Sequence, residues 1–268
     1  MAVIGASVSG GFVDFLTPAP GAEPNSTISV AVACRSVWPR ERVDVRNYSD
    51  VATFFSPAKK AGRAVEKARR AQPDLVVGVD FMFWFGYGRP GLVEEGGRLR
   101  RGGGPERLLK QQRAFELLEQ LECPIIIGDY PEITDADPRI FPRSVIPDAD
   151  TLQELNRRLR AWAAERPRVH VVDLAEWVRR VKAGEEIVEV GEASHRLPAS
   201  AVLQTDGLHA SRLGVAILVH RILPVVRQAL PAGHPLTVDW PTLGEHLERT
   251  GADVELPPAT EGRGRSDG

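Results

Sequence analysis

Pro73-Asp74-Leu75-Val76-Val77-Gly78-Val79-Asp80 is the stretch from which the fold is read. It is apolar at consecutive rather than alternate positions, so a strand here has to be buried on both faces, the condition of a central strand in a parallel sheet covered by helices. The pattern returns at Pro124-Ile125-Ile126-Ile127-Gly128-Asp129 and, shorter, at Val169 to Val172 before Asp173. Helical periods lie around these runs. Pro57 to Gln72 places Ala61, Ala64, Val65 and Ala68 on one face, with its Lys and Arg residues on a solvated one. Pro105 to Leu121 carries Leu108, Leu109, Ala114, Phe115, Leu117 and Leu118 as a stripe, Asp150 is a reasonable cap for a helix to about Glu165, and Ser211 to Leu230 reads as a last core helix bent at Pro224. This alternation predicts an open, mostly parallel α/β sheet. Ligands of such sheets gather at the carboxyl ends of the strands, where Ser7, Asp80, Asp129 and Asp173 all fall.

The remaining segments give coarser expectations. Ile28 to Cys34 and Val43 to Asn47 read as short strands, Phe12 to Ser26 as an irregular surface connection, and Ile187 to Val190 with Leu197 to Leu203 as a hairpin or extended excursion. Phe81 to Tyr87 is aromatic and most simply core. It leads into a Gly- and Arg-rich stretch, residues 86–104, expected to be a mobile lid or a disordered insertion, whose Arg98, Arg100 and Arg101 are most simply solvated. Residues 1–230 are expected to form the α/β domain. Residues 231–256 follow as an appendage with a short helix capped by Asp239, and residues 257–268 as a disordered tail.

Composition narrows the function. The chain has 268 residues and a formal net charge of -2, with Arg spread over the helices, so a nucleic-acid partner is not expected. Cys34 and Cys123 lack metal-ligand spacing and are too few for a disulfide framework; free thiols are expected, with one bridge left open. The most apolar long stretch, Leu213 to Val226, is too short to cross a bilayer and contains His220, Arg221 and Pro224. The sequence begins directly on its first strand without a charged and apolar leader, which points to the cytoplasm, or to secretion if the natural N-terminus is longer.

Two distant motifs carry chemistry. Val3-Ile4-Gly5-Ala6-Ser7-Val8-Ser9-Gly10-Gly11-Phe12 breaks from an apolar run into small residues, as a strand does when its end brings a turn and a hydroxyl to a ligand, and Ser7 is the candidate nucleophile. Asp206-Gly207-Leu208-His209 puts a carboxylate three residues ahead of an imidazole that it can orient. A serine paired with such a histidine gains a general base, while the aspartate fixes the tautomer and stabilises the imidazolium. Either motif alone is also what a turn or a helix cap contains.

Taken in order along the chain, Gly5-Ala6-Ser7, Gly78-Val79-Asp80, the run from Pro124 to Asp129, and Asp206-x-x-His209 resemble the SGNH, or GDSL-type, hydrolases over Ala2 to about Leu230. The resemblance implies a three-layer α/β/α sandwich of flavodoxin-like character and hydrolysis of an ester through an acyl-enzyme, with no metal and no cofactor. Ser7 would attack, His209 would take its proton, Asp206 would position His209, and a backbone N–H near Ser7, with Gly5, Gly78 and Asp80, would serve the oxyanion and the substrate. The partner implied is a small ester, an acetylated sugar or an acyl lipid. Three departures stand out. Ala6 replaces the family's aspartate, residues 47–53 offer no clear counterpart of its second-block glycine, and Asp80 stands where the family has an oxyanion asparagine. An ionised Asp80 would repel an oxyanion; a protonated one could donate to it, or Asp80 has turned away and another donor serves. A binding protein that kept the fold and lost turnover is the alternative, and a nucleotide-binding domain lacks the glycine pattern or phosphate-loop lysine it needs.

Overall fold

The computed structural model describes residues 1–13, 26–39, 41–88, 92–95, 98–101 and 103–260. In chain order the elements are β1 (Ala2–Val3), α1 (Ser7–Gly10), α2 (Val30–Val37), β2 (Arg46–Asn47), α3 (Pro57–Ala71), β3 (Val76–Gly78), α4 (Phe83–Gly86), β4 (Leu92–Glu95), β5 (Arg98–Arg101) and α5 (Gly104–Leu118). They continue with β6 (Ile125–Gly128), α6 (Ala149–Ala164), β7 (Val169–Val172), α7 (Leu174–Lys182), β8 (Ile187–Val190), β9 (Ala193–Arg196), α8 (Ala199–Val202), α9 (Arg212–Ala229) and α10 (Leu243–Thr250). Five strands form a parallel sheet in the order β2-β1-β3-β6-β7, with Ala2 opposite Val76 and Val77 opposite Ile126. The order reverses between β1 and β3, and a sheet of this kind opens its crevice at the strand tips beside that reversal.

Both faces of the sheet are covered at its centre, which is why β1, β3 and β6 carry no polar side chain, whereas the edge strand β2 is exposed and β7 admits His170. Ala2, Ile4, Val76, Ile125 and Ile127 face a cluster completed by α3, α5 and α6. Val3, Leu75, Val77 and Ile126 face the other way, into a cluster with α2, α7 and α9 that also takes in Leu236, Leu247 and Ala252 from beyond residue 230. Thr260 donates its N–H to Ser194 O, so the chain is held to that point; residues 261–268 lie outside the described residues. Among the described residues no helix is long and apolar enough to cross a membrane.

Several expectations are corrected. Ile28 to Cys34 is not a strand: Val30–Val37 is helical, with Ser29 Oγ accepting from Val32 N. Alternation would have buried Val32 along with Val30 and Cys34. Instead Val32 is 42% exposed while Val30, Ala31, Ala33, Cys34 and Val37 are buried, so the helical period decided the outcome. The stretch 86–104, expected as a mobile lid or a disordered insertion, is not without structure: its backbone contains a hairpin, Leu92 opposite Arg101 through Glu95 opposite Arg98. The side chains of Arg98, Arg100 and Arg101 lie outside the described residues, as does most of the connection from Phe12 to Ser26.

Ile187–Val190 pairs with Ala193–Arg196, not with residues after Leu197, which turn into α8. Two caps move as well. Asp148 rather than Asp150 accepts from Thr151 N at the start of α6, and Thr242, in a reciprocal capping box with Glu245, replaces Asp239 at the start of α10. The helix α7, rich in Arg and Glu outside and in Trp177, Val178 and Val181 inside, had not been anticipated.

Candidate functional site

The backbone leaving β1 turns at Gly5, whose φ of 145° suits glycine alone, and coils into the single turn of α1. Ala6 has no side chain able to cap this turn. The acceptor comes instead from the neighbouring strand: because β3 pairs with β1, Asp80, just past the end of β3, arrives beneath the turn. Its Oδ1 accepts from Ala6 N at 3.0 Å and Ser9 Oγ at 2.5 Å, and its Oδ2 from Val8 N at 2.8 Å and Ser9 N at 3.2 Å. A Cβ on Gly5 would stand 2.2 Å from Asp80 Oδ1, and one on Gly78 3.0 Å from Ile4 Cγ1, so both glycines mark close approaches in the packing around the turn. Asp80 has therefore turned toward the backbone of the loop. Within Ala6 to Ser9 only the Ser7 N–H is not donated to it.

The second half of the site lies in the turn before α9. Asp206 Oδ1 accepts from Leu208 N and His209 N, each at 2.9 Å, and Oδ2 lies 2.5 Å from His209 Nδ1. Asp206 is 1% and His209 5% exposed. Burial works to raise the Asp206 carboxyl, but the hydrogen bond and charge of His209, with the two amides, hold it below the ordinary carboxylate range. Contact with a carboxylate assigns the Nδ1 position as donor and leaves Nε2 as the basic nitrogen.

A residue with no local signature in the sequence ties the halves together. Gln204 Nε2 donates to Phe12 O at 2.8 Å and to Ala210 O at 2.9 Å, while Gln204 N donates to His209 O. Phe12, next after the glycines of the first motif, lies with its ring centroid 4.4 Å from that of His209. Ser9, which the sequence does not single out, leaves a signal there all the same: a hydroxyl two residues after Ser7, matched by the acid at the tip of β3.

Ser7, which is 9% exposed, and His209 line one cavity of about 50 Å³, together with Phe83, Pro131, Ile133 and Trp177. Among the described residues no hydrogen bond joins Ser7 Oγ to His209; unliganded sites often hold such pairs apart until a substrate draws them together. Asp50 N donates to Gly5 O, which fastens residues 47–53 beside the turn.

The other acids at strand tips do different work. Asp129 accepts from Ala175 N at 2.7 Å and from Arg160 Nη2 at 2.6 Å, and the same guanidinium nitrogen reaches Asp173 at 2.7 Å, so these two acids anchor α7. Burial pushes the Asp129 carboxyl up, against the pull of the Ala175 N–H and Arg160. Both cysteines are free thiols, and burial pushes that of Cys34 up to about 12. His195 Nδ1 sits 2.7 Å from Pro257 O, and His220 stacks 6.2 Å from His246, well inside the packing of α9 and α10.

No family model matches the chain, and no curated protein matches it significantly.

Proposed function

We propose that the protein is a serine-dependent hydrolase of carboxylic esters, of the SGNH type and without a metal. The observation that carries this reading is that His209, buried with Asp206 at 2.5 Å, lines one cavity with Ser7 at the carboxyl edge of a parallel sheet. The strand order, 2-1-3-4-5 when the five sheet strands are numbered along the chain, is the flavodoxin-like order that the family resemblance implies. His209 Nε2 takes the Ser7 Oγ proton as the oxygen attacks the ester carbonyl. The imidazolium then forms against the Asp206 carboxylate and returns the proton to the departing alcohol. Water repeats the sequence on the acyl-enzyme and frees the acid.

For the oxyanion, the Ser7 N–H is the donor of the turn that Asp80 leaves unused. One such donor is worth about 3 kcal/mol where it has been removed in other hydrolases. Asp80 acts on this reading as the positioning residue for Ser7. The test is covalent: a fluorophosphonate probe is expected to label Ser7 in the wild type and not in Ser7→Ala. A folded wild-type protein that stays unlabelled would sink the proposal.

A second reading, a binding protein that kept the fold without turnover, is favoured by the missing hydrogen bond between Ser7 Oγ and His209 and by Ala6 and Asp80 at positions where the resemblance breaks. Hydrolysis of any member of a panel of acetyl, butyryl and lipid esters, lost in Ser7→Ala, would eliminate it.

A further inference from the structure

The cavity at Ser7 is small for a whole substrate. Its volume of about 50 Å³ is only a few times the roughly 10–15 Å³ that one enclosed water requires, so it admits a short acyl group and little else. A groove of about 720 Å³ lies beside it, lined by Phe54, Phe55, Trp84 and Phe141 with Lys110 and Arg113 in its wall, and no carboxylate lines it among the described residues. That size and apolar character are those of sites that enclose drug-sized organic ligands.

Phe83 links the two linings through its ring contacts. It lines the Ser7 cavity, and its ring stands edge-on to Trp84 at 5.1 Å and 5.7 Å from Phe141, both of which line the groove. From Trp84 the ring contacts run outward to Phe54 at 5.8 Å and from Phe54 to Phe55 at 4.0 Å. Phe55 is 76% and Phe54 45% exposed. Single exposed apolar side chains are ordinary, but a contiguous ladder of rings leading from solvent to the wall of a reactive cavity marks a binding surface.

Resting on the ester-hydrolase reading, we infer that this groove is the leaving-group subsite, and that the substrate is a short-acyl ester of a large alcohol with an apolar, ring-bearing body. The acetyl-sized group enters the Ser7 cavity, and the alcohol lies along the aromatic ladder. On cleavage the alcohol oxygen receives its proton from His209 and departs through the groove. Lys110 and Arg113 in the wall are paired with Glu106 and Glu116, so the rings and not a net charge select the alcohol.

The test compares kcat/KM for 2-naphthyl acetate, ethyl acetate and ethyl octanoate in the wild type and in Phe55→Ser, an exposed position whose substitution spares the core. The ratio of 2-naphthyl acetate to ethyl acetate is expected to fall about tenfold, through KM. Separately, 2-naphthalenesulfonate, which cannot be hydrolysed, is titrated into Ser7→Ala by calorimetry; it is expected to bind there and to bind at least tenfold more weakly when Phe55→Ser is added. Phe55-dependent binding without turnover of any ester would uphold the groove and remove the hydrolase reading. Ester turnover with a ratio unmoved by Phe55→Ser would overturn the groove alone. So would a loss confined to ethyl octanoate, which would make the groove an acyl site, or a wild-type dimer that Phe55→Ser converts to monomer.

Discussion

Replacing Asp80 by Asn tests how the turn bearing Ser7 is held. The side chain keeps its shape, but one acceptor oxygen becomes an NH2 group, and all four neighbours of Asp80 are donors. Placed at the Oδ2 position, the NH2 meets Val8 N and Ser9 N; placed at Oδ1, it meets Ala6 N and a hydroxyl that can reverse its role. The cheaper choice thus strands one buried amide, sets a donor against it, and converts the remaining bonds from charge-assisted to neutral. At about 1–3 kcal/mol for an unsatisfied buried donor, and somewhat less for each weakened bond, the cost is about 2–4 kcal/mol. For a chain of this size that corresponds to a Tm lower by roughly 5–10 °C. Because the lost bonds orient Ser7, kcat is expected to fall more than stability alone explains, at temperatures where the variant is fully folded. The assay is calorimetric unfolding beside hydrolysis of 2-naphthyl acetate. An Asp80→Asn protein with unchanged Tm and higher kcat would refute the reasoning, since it would mean that residue 80 serves the oxyanion and not the turn.

Asp206→Asn is expected to lower kcat by up to about 10⁴-fold with little change in KM, by stabilising the wrong imidazole tautomer, as steady-state kinetics would show. Gly5→Ala forces a side chain to 2.2 Å from Asp80 Oδ1 at a φ of 145°, and is expected to cost about 3 kcal/mol or more in denaturant unfolding. His246, wholly buried between α2 and α9, has its imidazole pushed down from 6.5 to about 4, by burial first, with the bond to Ala33 O opposing and His220 and Arg249 adding to it. Between those values the unfolded chain binds the extra proton, so stability is full above pH 6.5 and falls by about 3 kcal/mol as pH drops toward 4; urea titrations across this window are expected to flatten in His246→Phe.

What could be read from the sequence follows from the range of the forces involved. The central strands were legible because burial on both faces leaves an unbroken apolar signature at Leu75 to Val79 and Ile125 to Ile127. The contact between Asp206 and His209 spans three residues, and local spacing carried it. The helix α2 was hidden because Ile28, Val30 and Val32 put β-branched side chains at alternate positions, as a strand would, and packing of Val30, Ala31 and Cys34 into the sheet-side core decided for the helix. The direction of Asp80 depends on β3 lying beside β1, and the span of Gln204 to Phe12 crosses 192 residues; neither has a local trace. The aromatic ladder likewise joins Phe54 and Phe55 to Trp84 and Phe141 from three separate segments.

The Asp80 contacts also bear on how such a sequence can change. Three amides and a hydroxyl of the turn converge on one carboxylate, which comes from across the sheet at residue 80, Ala6 having no side chain to supply it from within. Two acids converging on the same three amides would repel each other, and with none the amides would be stranded. Asp80, the amides of Ala6, Val8 and Ser9 and the hydroxyl of Ser9 thus form one unit, in which a change of any member is felt by the backbone that carries Ser7.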